Sequence, residues 1–162
     1  MAIVYSHPRA LDGSDMWKLV KGNEDLDLNS SYSYFLVSKL FSNRCIIVKD
    51  SAQNNKIVGF VMGFVFAEEP ETYFIWQISV SKDYRGQGIG KELLERVLQT
   101  NEDIKYIKGT ISKKNNSYKK VLNDIAVKYN TWMSTKAGFE DDQFPEGHEE
   151  EELVLIGPIE RE

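Results

Sequence analysis

Two clusters in the 162-residue chain hold residue types that could do chemistry. The first is Arg85-Gly86-Gln87-Gly88-Ile89-Gly90. Before it, Ile75, Ile78 and Val80, with Trp76 among them, read as a strand rich in β-branched and aromatic residues. After it, from Lys91, the residues Leu93, Leu94, Val97 and Leu98 fall on one stripe of a helix. Strand, glycine-rich loop and helix make the geometry of an anion site. Glycine lets the backbone approach a ligand closely, and the N–H groups of the first helical turn, aided by the helix dipole, point at phosphate. The spacing of Gly86, Gly88 and Gly90 is not the dinucleotide fingerprint, which needs two residues between its second and third glycines. No Gly-Lys-Ser/Thr follows, so it is not a P-loop either. The bland alternative is a turn with no ligand. Against it stand Arg85 and the alternating glycines, which are costly in a plain turn.

The second cluster is Leu26-Asp27-Leu28-Asn29-Ser30-Ser31-Tyr32, flanked by Asp25 and Tyr34. Helix capping by Ser30 or Ser31 would account for the polar turn. Two aspartates, an asparagine and two tyrosines crowded around it also suit a polar pocket.

The elements that must position these clusters are legible in outline. Ile3-Val4-Tyr5 reads as a first strand, and a short helix runs from Asp12 to Gly22. A second helix follows Ser30 or Ser31, with apolar positions Phe35, Leu36, Leu40 and Phe41. Arg44–Lys49 and the long apolar run Ile57–Phe66 read as strands, then comes the strand carrying Trp76. Beyond the glycine loop and its helix, Tyr106–Ile111 is another strand, and a helix starts at Asn115-Asn116-Ser117. The remainder, from Trp132, is less regular until an apolar strand, Leu153–Ile156, preceded by His148 and the acidic run Glu149–Glu152.

Composition bounds the rest. The length suits one α/β domain over residues 1–162, and 41% apolar content argues against disorder. No stretch approaches the ~20 apolar residues of a membrane span. A formal charge of −5 and a pI near 5.2 argue against a nucleic-acid partner and for a cationic substrate. The single cysteine, Cys45, excludes an internal disulfide and fits a reducing, cytoplasmic compartment. Its neighbours Ile46, Ile47 and Val48 suggest a buried strand thiol. The N-terminal residues lack the charged and apolar regions of a signal peptide.

The glycine hexad, with its strand and helix, fits the R/Q-x-x-G-x-G/A pattern of the GNAT acyltransferases. The LDLNSSY block with Tyr34, Trp76-Gln77, Gly147-His148-Glu149 with Glu151, and Ile156-Gly157 together resemble the L-2,4-diaminobutyrate acetyltransferases of ectoine biosynthesis. The resemblance runs from about Trp17 to Gly157. It implies a single GNAT domain whose central, mostly antiparallel mixed sheet is flanked by helices, with the acetyl-CoA loop between a central strand and the next helix. It implies acetyl transfer from acetyl-CoA to the γ-amino group (N4) of L-2,4-diaminobutyrate, a homodimer, and no metal.

That reaction has plain requirements. A primary ammonium, with a pKa near ~10.4, must lose a proton before it attacks a thioester. A nearby carboxylate attracts the cation but raises its pKa, so a carboxylate or an ordered water must take the proton. The tetrahedral oxyanion needs a backbone N–H, expected from the strand at Ile78–Val80. By the resemblance, Asp27 and Glu151 would contact the ammonium groups, and one of them would serve as proton acceptor. Tyr32 would be the hydrogen-bond partner or acid beside the thioester. Asn29, Ser30, Tyr34, Trp76 and His148 would line the substrate pocket, with a surface loop as the alternative for His148. Acetyl-CoA would contact Ile78, Ser79 and Val80, the loop Arg85-Gly86-Gln87-Gly88-Ile89-Gly90 with Lys91, and Asn115 and Ser117. A small residue is usual where Tyr118 stands, which weakens the last assignment. Rival readings are a GNAT acetylase of another small cationic amine and a non-catalytic acyl-CoA-binding module.

Overall fold

The computed structural model describes residues 1–162. Seven strands, β1 (Ile3–Ser6), β2 (Ile46–Asp50), β3 (Lys56–Val65), β4 (Thr72–Val80), β5 (Tyr106–Ser112), β6 (Trp132–Phe139) and β7 (Glu151–Gly157), lie in the order β1-β2-β3-β4-β5-β7-β6. The sheet is mixed and mostly antiparallel; β4 and β5 form its parallel pair. Four helices accompany it: α1 (Asp12–Lys21), α2 (Ser31–Leu40), α3 (Ile89–Thr100) and α4 (Asn116–Lys128).

The chain divides into two compact units, Met1–Phe64 with Trp76–Asn101, and Val65–Ile75 with Glu102–Glu162. In the first, β3 is buried along almost its whole length, as its unbroken apolar run requires. Met16, Val20, Tyr34, Val37, Ile47, Phe60 and Met62 form a core there. Gly13 lets α1 and α2 touch, because a Cβ at that position would stand 2.9 Å from the Phe35 backbone nitrogen. Cys45 is fully buried, and that burial pushes its thiol up to about 12.

In the second unit, β5 pairs with β7 from Ile107↔Ile156 to Ser112↔Glu151, and β7 pairs with β6. The strand β6 corrects the reading of an irregular stretch after Trp132. Its apolar alternation is absent because most of its side chains are exposed, and its order comes from pairing with β7.

The core face of α2 is a second correction. The helix buries Tyr34, Val37 and Ser38, while Phe35 and Leu40 are 40% and 61% exposed. A fully buried tyrosine at this position sets the helix rotation, because its hydroxyl has polar partners inside the fold.

Candidate active site

The connection between α1 and α2, Gly22–Ser30, is laid against β4 by polar contacts. Gln77 of β4 is their centre. Its amide donates to the Asp27 carbonyl at 2.6 Å, and its Oε1 accepts from the Tyr34 hydroxyl at 2.8 Å and the Asn29 amide at 3.3 Å. The Asn29 backbone N–H in turn donates to the Tyr34 oxygen at 3.3 Å. Tyr34 is fully buried and packs edge-on against Phe60, so its hydroxyl must be satisfied inside the protein. Asp27, through its backbone carbonyl, is therefore brought together with Asn29 and Tyr34. Sequence reading did not rank Gln77 among the site residues. The available signal was a glutamine breaking the apolar run of a strand at an inward position.

Other expected residues lie at the margin. Ser30 precedes α2, but its hydroxyl pairs with that of Ser33 at 3.0 Å and makes no cap to the backbone. Tyr32, on the first turn of α2, is 69% exposed. Trp76 neighbours Gln77, so it faces the other side of β4, where it is 39% exposed.

From Val80 the strand runs into the glycine loop. Gly86 and Gly88 adopt φ of +74° and +79°, left-handed values that other L-residues rarely take. A Cβ added at either would meet no atom of the chain within 4 Å, so the loop presents bare backbone. Gly88 caps α3 without a side chain, and buried Ile89 fixes the start of the helix in the core. Gln87 is exposed, while Gly90 and Lys91 are half-buried on the first turn of α3. Bare backbone at the start of a helix, with free N–H groups, is a geometry able to receive an anion such as a phosphate. Upstream, Ile78 and Val80 are half-buried, whereas the Ser79 hydroxyl is buried with no hydrogen-bond partner. The turn before the loop is pinned by Tyr84, whose hydroxyl donates to Asp50 at 2.7 Å.

Arg85, at the head of the loop, makes contacts within the chain. Its Nη1 and Nη2 hold Asp25 at 2.6 and 3.3 Å, and its Nε donates to the Val80 carbonyl at 2.8 Å. The guanidinium holds the Asp25 carboxyl below its ordinary value.

In the second unit, Glu151 opens β7 and lies close enough to Tyr118 for its charge to add to the burial that raises the Tyr118 phenol. His148 stacks on Phe144 with ring centroids 4.0 Å apart, and its Nδ1 lies 2.6 Å from the Glu149 carbonyl. The acidic run beside it is paired rather than merely solvated. Glu149 meets Lys114 at 2.8 Å and the Ser112 hydroxyl at 2.5 Å, and Glu150 meets Lys113 at 2.8 Å. Asn115 caps α4 by accepting the Tyr118 N–H at 3.2 Å, and the Ser117 hydroxyl donates to the same oxygen at 3.2 Å.

A strand that ends in a left-handed glycine loop capping a helix, inside a mixed sheet of this order, is the architecture of the acyl-CoA-dependent N-acetyltransferases, and the family match places the chain among them. The family model described as acetyltransferase (GNAT) family matches residues 16–116. The chain is 37% identical over 161 residues to the L-2,4-diaminobutyric acid acetyltransferase of Marinococcus halophilus, covering 98% of this chain and 91% of that protein. It is 32% identical to the enzyme of the same name from Halomonas elongata, over 94% of this chain and 79% of that one. Its fold matches the diaminobutyrate acetyltransferase EctA of Paenibacillus lautus, solved with L-2,4-diaminobutyric acid and coenzyme A. The TM-score there is 0.91 and the identity 32%, covering 99% of this chain and 97% of the other. The chain thus belongs to the GNAT acetyltransferases and, within them, to the L-2,4-diaminobutyric acid acetyltransferase family. No helix is long and apolar enough to cross a membrane.

Proposed function

We propose that the chain transfers the acetyl group of acetyl-CoA to the γ-amino nitrogen of L-2,4-diaminobutyrate, giving the N4-acetyl product used in ectoine synthesis. The observation that carries this reading is the hub at Gln77. The strand that leads into the glycine cradle also holds the Asp27–Asn29 segment, so one strand serves both the acyl donor and a cation-binding turn.

In this reading the backbone N–H groups of Gly86–Lys91 hold the pyrophosphate, and Ile78, Ser79 and Val80 run beside the thioester. A backbone N–H of that strand stabilises the oxyanion. Asn115 and Ser117, at the start of α4, contribute to acetyl-CoA binding. Asp27 and Glu151 bind the ammonium groups, and one of them, or a water it orders, accepts the proton as the γ-amine attacks. Asn29, Ser30, Tyr34, Trp76 and His148 shape the amine pocket. Tyr32 serves the departing thiolate as acid or hydrogen-bond donor. Fixing the α-amino and α-carboxylate end leaves only the γ-nitrogen within reach of the acetyl carbon. The resemblance supports a homodimer as the active unit, and the lone buried thiol Cys45 supports a reducing, cytoplasmic setting.

The test is thiol release from acetyl-CoA against L-2,4-diaminobutyrate, ornithine, lysine, diaminopropionate and spermidine, with NMR of the product. The expected result is a strong preference for diaminobutyrate and acetylation at the γ-nitrogen. Preference for another amine would reassign the substrate, and CoA binding with every amine inert would leave a binding module.

A further inference from the structure

Alternate residues of the α1–α2 connection are stitched to β4 and the turn that follows it. Asn23, buried at the end of α1, accepts the Lys82 backbone N–H on its Oδ1 at 3.3 Å, while its own amide donates to the Leu19 carbonyl at 2.6 Å. Asp25 holds Arg85, the Asp27 carbonyl accepts from Gln77, and the Asn29 amide reaches the same glutamine. Only one of these ties is ionic and two-pronged. The Arg85 guanidinium is planar and rigid, and Asp25 and the Val80 carbonyl together fix its plane. The next residue is Gly86, the first left-handed position of the cradle. Where Arg85 is held decides where the cradle begins.

We propose that the Asp25–Arg85 pair is a latch that couples the two substrates: it keeps the glycine loop and the Asp27–Asn29 segment in register, so that acetyl-CoA and the amine each improve binding of the other. Asp25 is then a positioning residue that touches neither substrate. Arg85 acts on the pyrophosphate through the backbone it anchors, with its fork committed to Asp25. Coupling of this kind is reciprocal, so its loss weakens each ligand's effect on the other by the same factor. The inference rests on the reading of the chain as a diaminobutyrate acetyltransferase.

The experiment compares wild type with Asp25→Asn, Asp25→Glu, Arg85→Ala and the Asp25→Asn/Arg85→Ala double variant. CoA affinity is measured by calorimetry with and without L-2,4-diaminobutyrate, alongside steady-state kinetics and melting curves. The diamine should tighten CoA binding in wild type, and Asp25→Asn should abolish that gain. Both KM values in Asp25→Asn should rise about 3- to 10-fold, more than kcat falls, the range expected for a half-exposed but bidentate pair. Asp25→Glu should recover part of the coupling. The double variant should bind CoA no worse than Arg85→Ala alone. Additive losses, with Arg85→Ala by far the more damaging to CoA binding, would make Arg85 a direct phosphate ligand and overturn the latch. So would CoA affinity indifferent to the diamine in a wild type that acetylates it. A wild type inert toward the diamine would defeat the substrate reading alone, since the additivity in CoA affinity still decides the latch.

Discussion

The glycine loop and the Asn23–Asn29 connection sit on the same strand and work by opposite means. The loop offers backbone, with left-handed glycines and no side chain over the cradle. The connection offers side chains, each placed by a partner elsewhere in the unit: Asn23 by Lys82, Asp25 by Arg85, Asn29 by Gln77. In the proposed reading the loop takes the acyl donor through its backbone, and the connection selects the amine through its side chains. The difference predicts that substitutions in the loop alter donor kinetics and substitutions in the connection alter acceptor kinetics.

The largest separation should come from Asp27→Ala, which is expected to lower kcat/KM for the diamine on the order of 100-fold, the value of a hydrogen bond to a charged group. The KM for acetyl-CoA should change little. An equal loss for both substrates, read in the same steady-state assay, would erase the contrast between the regions.

Gly88→Val should show the converse. A β-branched residue at a φ of +79° meets a cost of about 1–2 kcal/mol. The result should be an acetyl-CoA KM raised about 10-fold, the kinetic equivalent of that cost, with the amine KM nearly unchanged.

Gln77→Leu tests the strand both regions share. It removes the acceptor of the buried Tyr34 O–H, so urea unfolding should show a loss of about 1–3 kcal/mol, with a rise in the amine KM. Unchanged stability would mean that Tyr34 finds another partner.

The smallest effect concerns the second unit's acidic run. The Lys114 ammonium, with the Ser112 hydroxyl, holds the Glu149 carboxyl below the usual carboxylate range. A lowered folded pKa contributes stability that is present above the unfolded value and lost as pH falls through the folded one. Glu149→Gln should therefore be slightly less stable than wild type at neutral pH and equal to it in strong acid. A difference that grows in acid would have the wrong sign for this pairing.

How much of this was legible beforehand follows the same division. The glycine loop was readable from spacing, because left-handed backbone favours glycine at fixed offsets and leaves it in the sequence. The strands β2 to β5 and the helices α1, α3 and α4 were readable because burial on one or both faces imposes a period. The hub at Gln77 was not ranked, because its meaning depends on Tyr34, 43 positions away in the chain. The pairing of Arg85 with Asp25 was not legible, because nothing local reveals a contact across 60 positions. The core face of α2 was misplaced because apolar character was counted, while the fold turns inward a tyrosine that needs a polar partner. The strand β6 escaped notice because an exposed edge strand carries no hydrophobic alternation.

The Gln77 hub is built from amides, a phenol and a carbonyl, with no net charge in any contact. Dissolved salt screens ionic attraction within about 8–10 Å at moderate ionic strength, and it barely touches neutral hydrogen bonds inside a fold. As electrolyte rises, the half-exposed Asp25–Arg85 pair and the lysine–glutamate pairs before α4 must slacken. The neutral frame around Tyr34 keeps its geometry. Ionic strength thus becomes a control on how firmly the amine-side turn grips the glycine loop, while the strand beneath both stays fixed.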